Sequence, residues 1–279
     1  EHTHGVRLFV KKQKENVKRK AHKNPPVKSN INKVVLHGVN CVQALRMNKP
    51  QNILVMDTSM SACCVGFMGA EGQTVAAVER MAHGQAERLL PMIVDVLGKA
   101  GKDFKDIDVI ITTLGPGAFT GLRLGLSAAK ALGLSLSRPV YGLTSLQALA
   151  LTAADKAAPE GDFTVLVDTR REEYYAQNFD QNARPKDTER LCRAQNLSEI
   201  LPENPYLTGD AVPRFVAEKA EENMKINHIP ADLIEPVSVI KAFQDEKTQP
   251  LFTQDIAPLY LRGADTSTSK KKYRNLATQ

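Results

Sequence analysis

Gly115-Pro-Gly-Ala-Phe-Thr-Gly-Leu-Arg-Leu-Gly125 follows the apolar run Val109-Ile-Ile111 and Leu114, and precedes Leu126-Ser-Ala-Ala-Lys-Ala-Leu-Gly133. A buried strand, a glycine-rich turn and a helix are implied, which is the usual setting of a phosphate-handling loop. The parts that let such a loop act alone are missing. No Lys-Ser/Thr pair closes it as a P-loop requires, and position 120 is Thr where a dinucleotide fingerprint needs its third Gly. Gly117, Gly121, Gly125, Ala129 and Gly133 recur every four residues and share one side of the helix expected from Thr120 onward. Glycine inside a helix costs about 1 kcal/mol relative to alanine, so the stripe needs a compensating gain. Two gains are open: close packing of this helix on its own sheet, or docking against another subunit. Leu122, Leu126 and Leu132 flank the stripe with apolar bulk.

Upstream, Ile53-Leu-Val-Met56 reads as a buried strand running into Asp57-Thr-Ser59. Strands over 62–68 and 74–78, joined by the turn Gly69-Ala-Glu-Gly72, complete a meander. A helix is expected over 85–99, with Pro91 kinking it or ending a short first turn. A strand at 108–114, the glycine-rich loop and its helix, a strand at 140–143 and an alanine-rich helix from Ser145 follow. The order β-β-β-α-β-α-β-α is that of a ribonuclease-H-like domain. After Pro159-Glu-Gly161 a second lobe opens with a strand at 163–167, Asp168-Thr-Arg170 and a returning strand at 174–179. Weaker patterns suggest a helix from Leu197, a strand at 206–208, a helix over 212–222 and another near 237–243. Both lobes open on a strand ending in Asp-Thr and a hairpin, which hints at duplication. The expected division is a basic extension over 1–49, a lobe over 50–158, a smaller lobe over 159–263 and a basic tail over 264–279.

The net charge of +6 is unevenly spread. Residues 1–50 hold twelve Lys/Arg against two Asp/Glu, a balance of +10; the remainder holds twenty-five against twenty-nine, a balance of −4. The lobes are thus mildly acidic, and the basic arm has either a nucleic-acid-binding role or none in the native chain. Met47, just ahead of the first strand, is the expected natural start, with 1–46 as upstream sequence. No run reaches the roughly 18 apolar residues of a membrane span, and a cytoplasmic location is expected. Cys41, Cys63, Cys64 and Cys192 form no Cys-x-x-Cys pair and read as reduced thiols. No Gly-x-Ser-x-Gly elbow is present.

Ile53-Leu-Val-Met-Asp-Thr-Ser59, Leu114-Gly-Pro-Gly-Ala-Phe-Thr-Gly-Leu-Arg123, Val167-Asp-Thr-Arg170 with Glu173 and Tyr175, and Pro258-Leu-Tyr-Leu-Arg262 together resemble the bacterial TsaB (YeaZ) family. The resemblance covers roughly residues 50–263. Position 172 is Glu where the family tends to carry Gly. The resemblance implies two ribonuclease-H-like α/β lobes of the actin/sugar-kinase/Hsp70 type. It implies a non-catalytic subunit of the tRNA threonylcarbamoyladenosine machinery, which binds and activates a TsaD-type transferase. A TsaE-type ATPase joins the pair, tRNA engages through the complex, and a homodimer forms through the same surface. The helical bundle that pairs such subunits falls on 85–99 and 120–136, with Leu89, Met92, Ile93, Val96, Gly117, Gly121, Leu122, Gly125 and Leu126 as candidate interface residues.

The transferase paralogue holds its metal with a His-x-x-x-His pair, whereas the matching stretch here keeps His83 with Glu87, so no metal site is expected. No catalytic residue and no required cofactor is expected, with ATP or ADP and magnesium confined to the complex interface. Asp57, Thr58, Ser59, Gly115, Gly117 and Asp168 are candidates for a vestigial nucleotide contact; the competing reading is that both Asp-Thr pairs cap tight turns. Arg170 and Glu173 flank the second hairpin, where they are placed to form an ion pair. The alternative function is a superfamily ATPase or phosphotransferase that places Mg-ATP on Asp57 and Asp168.

Overall fold

Side-chain alternation along two central strands sets the layering of the molecule. In the computed structural model, which describes residues 52–69, 71–202, 204–220 and 225–262, the first repeat runs β1 (Ile53–Asp57), β2 (Ala62–Met68), β3 (Thr74–Arg80), α1 (Gln85–Lys99), β4 (Val109–Thr113), α2 (Phe119–Leu136), β5 (Val140–Leu143), α3 (Ser145–Ala157). The second runs β6 (Phe163–Asp168), β7 (Glu173–Phe179), β8 (Arg190–Arg193), α4 (Ala194–Ile200), β9 (Tyr206–Thr208), α5 (Val212–Glu218), β10 (Asn227–His228), α6 (Pro236–Gln244). Element for element, the two halves repeat.

The sheets repeat as well. Their strand orders are β3-β2-β1-β4-β5 and β8-β7-β6-β9-β10. In each, the first three strands pair antiparallel and the last two add in parallel, with Ile53 opposite Met68 and Val109, and Phe163 opposite Phe179 and Tyr206. This is the ribonuclease-H-like arrangement expected from the sequence, present twice. The first five strands lie where they were expected. The sequence missed β8 and β10, and α5 stops at Glu218 rather than continuing to 222. The 1–49 extension with Met47 and Cys41, and the 264–279 tail, lie outside the described residues.

Strand side chains point alternately to opposite faces. On β1, Leu54 and Met56 join Leu89, Met92, Ile93, Val96 and Leu97 of α1 in one apolar cluster. Ile53 and Val55 face the other way, into a cluster with Leu146, Leu149 and Leu151 of α3, Val239, Ile240 and Phe243 of α6, and Phe163, Val165 and Val167 of the second sheet. Leu166, from the far face of β6, meets Leu197, Val212 and Phe215. The layers are therefore α1–α2, first sheet, α3–α6, second sheet, α4–α5. One correction follows. The helix near 237–243, assigned from the sequence to the smaller lobe, packs on the first sheet, with the Pro236 side chain against Gly66. The chain end also returns to the first lobe, where Gly142 and Thr253 exchange backbone hydrogen bonds (2.7 and 2.9 Å) and Leu259 N donates to Leu114 O (2.7 Å).

α1 continues through Pro91 instead of ending there. Cys63 and Cys64 are both buried, and burial pushes the Cys63 thiol up to about 11 and Cys64 well up as well. Neither is a ready thiolate at neutral pH.

The glycine stripe of α2 turns inward. A Cβ at Gly117 would strike the carbonyl of Ser59, and one at Gly121 would strike that of Thr58. Replacing Gly121 by Ala is therefore expected to cost about 1–3 kcal/mol, since backbone must move to admit the methyl group. Gly98 of α1 is the matched control, because nothing lies within 4 Å of a Cβ there. Gly98→Ala should stabilise by about 0.5–1 kcal/mol. Urea unfolding of both variants checks the pair, and equal effects would contradict the close approach.

Candidate functional site

Strand β1 delivers Asp57 to the end of the first sheet, where the turn to β2 closes around it. Its Oδ1 accepts hydrogen bonds from Ser59 N (3.0 Å), Ser59 Oγ (2.6 Å) and Thr113 Oγ1 (2.5 Å). Its Oδ2 is buried with no hydrogen-bond partner among the described residues, and burial raises the carboxyl pKa against the pull of those three donors. Thr58 Oγ1 donates to Gly121 O (2.7 Å), and the hydroxyls of Ser59 and Ser145 are 2.9 Å apart.

Strand β6 delivers Asp168 to the matching point of the second sheet. Its Oδ1 accepts from Arg170 N (2.8 Å) and Arg214 Nη1 (2.5 Å), while its backbone N donates to Asp210 Oδ1 (2.9 Å). Arg214 also stacks on Tyr174, its guanidinium carbon 3.8 Å from the ring centre. The expected Arg170–Glu173 ion pair is not formed. Arg170 instead reaches Ser61 of the first lobe, and Glu173 pairs with Arg262 (3.0 Å). Glu172 pairs with Arg193 (3.1 Å), and the left-handed residue of this turn is Arg170 (φ 60°).

Between the two turns lies a cleft of about 620 Å³. Of the candidate nucleotide residues, Ser59, Gly117 and Asp168 line it; Asp57, Thr58 and Gly115 do not. A magnesium-held phosphate needs carboxylate oxygens turned toward it. The Asp57 Oδ1 is instead taken up by Ser59 and Thr113, and the residue does not line the cleft, so its placement favours a structural role over a magnesium ligand. The turn-capping reading describes Asp57 best. His83 lines the cleft, and among the described residues no three His, Cys, Asp or Glu side chains converge as metal ligands.

The interface candidates need correction. Leu89, Met92, Ile93, Val96, Leu122 and Leu126 are all 4% exposed or less, and Gly117, Gly121 and Gly125 face the β1–β2 turn. The helical period had identified the apolar face of each helix, and that face is used by the chain's own core. The outward faces carry Leu90 and Val94, each 53% exposed, and Leu134 at 85%.

Sequence reasoning also missed Asp210, Arg214, Phe119 and Tyr260. Duplication was the available signal for Asp210, because Thr208-Gly209-Asp210 ends β9 as Thr113-Leu114-Gly115 ends β4. Phe119 and Tyr260 sit at the cleft mouth with ring centres 5.4 Å apart.

Comparison with known proteins accords with this frame. Residues 79–207 match the family model described as TsaD, tRNA N6-adenosine threonylcarbamoyltransferase. An uncharacterised Mycobacterium tuberculosis protein is 31% identical over 218 residues, 76% of this chain and 92% of that protein. The tRNA threonylcarbamoyladenosine biosynthesis protein TsaB of Haemophilus influenzae is 26% identical over 77% of this chain and 94% of its own length. That of Escherichia coli is 31% identical over 53% and 65%. A Pseudomonas aeruginosa crystal structure, described as similar to peptidase YeaZ, superposes with a TM-score of 0.65 at 25% identity, covering 76% of this chain and all of that one.

Burial, the largest cause, raises the Asp210 carboxyl to about 6, with the neighbouring Asp168 and Asp232 adding to it. A raised carboxyl pKa means that the folded state holds the proton longer than the unfolded chain. Stability therefore falls as pH rises from about 4 to 6 and stays lower above that. Asp210→Asn keeps an acceptor for Asp168 N, and should stabilise the protein by about 1–3 kcal/mol at pH 7 with no gain at pH 4. Melting curves at the two pH values test this, and a gain of equal size at both would rule out the assignment. The two capped sheet ends, the glycine-led helix α2 and the sequence and structural matches together place the chain in the TsaB (YeaZ) family.

Proposed function

We propose that this chain serves tRNA threonylcarbamoyladenosine biosynthesis as a partner-binding subunit. It docks a TsaD-type transferase and holds it in its working form, with no chemistry of its own. The relatives named TsaB support the pathway, and the match to the transferase model supports a partner built on the same frame. One observation carries the docking reading: Leu90 and Val94 lie one turn apart on α1, each 53% exposed. Two neighbouring apolar side chains on the outward face of a surface helix give a partner an apolar centre to bury. In this reading the docking face is the outward side of α1, continued by Leu134 on α2. A TsaE-type ATPase and tRNA join through the resulting complex, and a second copy of the chain competes for the same face. The turn-bound Asp57 favours this reading over an independent Mg-ATP activity.

The test is co-expression with a TsaD-type transferase. Leu90→Asp combined with Val94→Asp should reduce co-purification at least about tenfold, because burying a charge in an interface core costs several kcal/mol. The fold should persist, as both side chains are already half in water. Undiminished capture by a folded double variant would refute the reading.

A further inference from the structure

A second surface, away from the outward face of α1, carries chemistry that protein docking does not use. Among the described residues, only two aromatic side chains are exposed, Phe119 (46%) and Tyr260 (42%). They lie 141 positions apart in the chain, yet their ring centres are 5.4 Å apart with planes inclined by 37°. Arg123, one helical turn beyond Phe119, places its guanidinium carbon 3.7 Å from the Phe119 ring centre and 5.9 Å from that of Tyr260. Its Nε donates to Tyr260 Oη (3.0 Å). Among the described residues Arg123 has no carboxylate partner, so none of them neutralises its charge.

The platform is held rigidly from both sides. Phe119 opens α2, whose preceding residue donates from Ala118 N to Ser59 O (2.7 Å). Tyr260 follows Leu259, whose backbone N donates to Leu114 O (2.7 Å). Phe119 and Tyr260 form part of the cleft wall, and Arg170, Arg171 and Arg262 line the same cleft. Of the two cleft carboxylates, Asp168 is paired with Arg214 (2.5 Å) and Asp210 accepts from Asp168 N (2.9 Å). Arg262 is paired with Glu173 (3.0 Å), so of the cleft arginines Arg170 and Arg171 are the candidates for phosphate. A space of about 620 Å³ is of the size that takes one nucleotide.

From this juxtaposition we propose that the Phe119–Arg123–Tyr260 platform and the adjoining arginines bind an unpaired nucleotide of an RNA strand, the base stacking on the exposed rings and the flanking phosphates meeting the guanidinium groups. Exposed rings backed by arginine are the surface on which splayed-out bases stack, and the ring faces tolerate any base. An apolar protein partner would have no use for the unneutralised Arg123, whereas a phosphate backbone would. The inference goes beyond the docking reading, and neither depends on the other.

The experiment measures binding of a fluorescein-labelled single-stranded 12-mer oligoribonucleotide to the full chain by anisotropy, across a salt series. Phe119→Ala and Tyr260→Ala are each expected to weaken binding about tenfold, within the range set by loss of one base–aromatic stack. Tyr260→Phe, which keeps the ring and loses only the hydroxyl, should bind nearly as the parent does. Arg123→Gln should lower the salt slope by about 0.7, the share of one phosphate contact on a single strand. A 4-thiouridine oligomer should photocrosslink to the peptides holding Phe119 or Tyr260, which separates this site from non-specific attachment to the basic arm of residues 1–49. Several outcomes would overturn the proposal. One is parental affinity in both alanine variants; another is equal binding of a blunt RNA duplex. Displacement of the oligomer by AMP at matching concentration would assign the cleft to free nucleotide instead. Loss of transferase capture with RNA affinity intact would assign the platform to a protein interface. Circular dichroism confirms that each variant is folded, and the double variant at Leu90 and Val94 should bind the oligomer as the parent does.

Discussion

The first turn of α2 lies against the β1–β2 turn at backbone distance, and the first lobe is arranged around that contact. Ala118 N donates to Ser59 O, Thr58 Oγ1 donates to Gly121 O, and only the missing side chains of Gly117 and Gly121 leave room for the two carbonyls. Helical glycine is unfavourable on its own, so the stripe persists because the contact returns hydrogen bonds and close packing. The contact has two consequences for the site. It seals Asp57 into the interior, where its Oδ1 is used by Ser59 and Thr113. It also fixes the start of the helix, so that Phe119 and Arg123 point outward beside Tyr260.

The second constraint is the shared central layer. A β-sheet with two apolar faces must be covered on both sides. Each sheet covers its outer face with two helices of its own repeat, while α3 and α6 pack on each other between the sheets, α6 against the first sheet and α3 against the second. The cleft is the opening left where the β1 and β6 ends meet across this layer. The lobes are tied there by Arg170 to Ser61 and by Arg80 to Asp232.

Much of this was legible in the sequence, for reasons that also explain what was not. β1 is apolar at four of five positions and β4 at its first three because both faces are buried, and such short runs bounded by turns are easily recognised as strands. β8 (Arg-Leu-Cys-Arg) and β10 (Asn-His) carry no such pattern, because they are edge strands whose pairing is set by their neighbours. On α1 the period correctly marked Leu89, Met92, Ile93 and Val96 as one face. Periodicity identifies an apolar face without saying what covers it, and here the first sheet does. Leu90 and Val94 stand out only once that face is known to be taken. The Phe119–Tyr260 platform could not be read at all, since it depends on a chain end folding back to β5 through Gly142 and Thr253.

Duplication makes the difference between the lobes informative. Both repeats cap the end of their first strand with a carboxylate, Asp57 in one and Asp168 in the other, yet the outer helices diverge. α1 and α2 have 15 and 18 residues, whereas α4 and α5 have 7 each. A helix of two turns suffices to cover the second sheet, so the extra length of α1 and α2 exceeds what covering a sheet requires. Those helices carry Leu90, Val94 and Leu134 outward and place Phe119 in the cleft wall with Arg123 stacked on its ring. The second lobe keeps two carboxylates at the cleft, Asp168, which Arg214 holds, and Asp210, which accepts from Asp168 N. The two copies of one frame thus differ in what they present: the first carries the longer outer helices, and the second supplies Asp168, Arg170, Arg171 and Asp210 to the cleft wall.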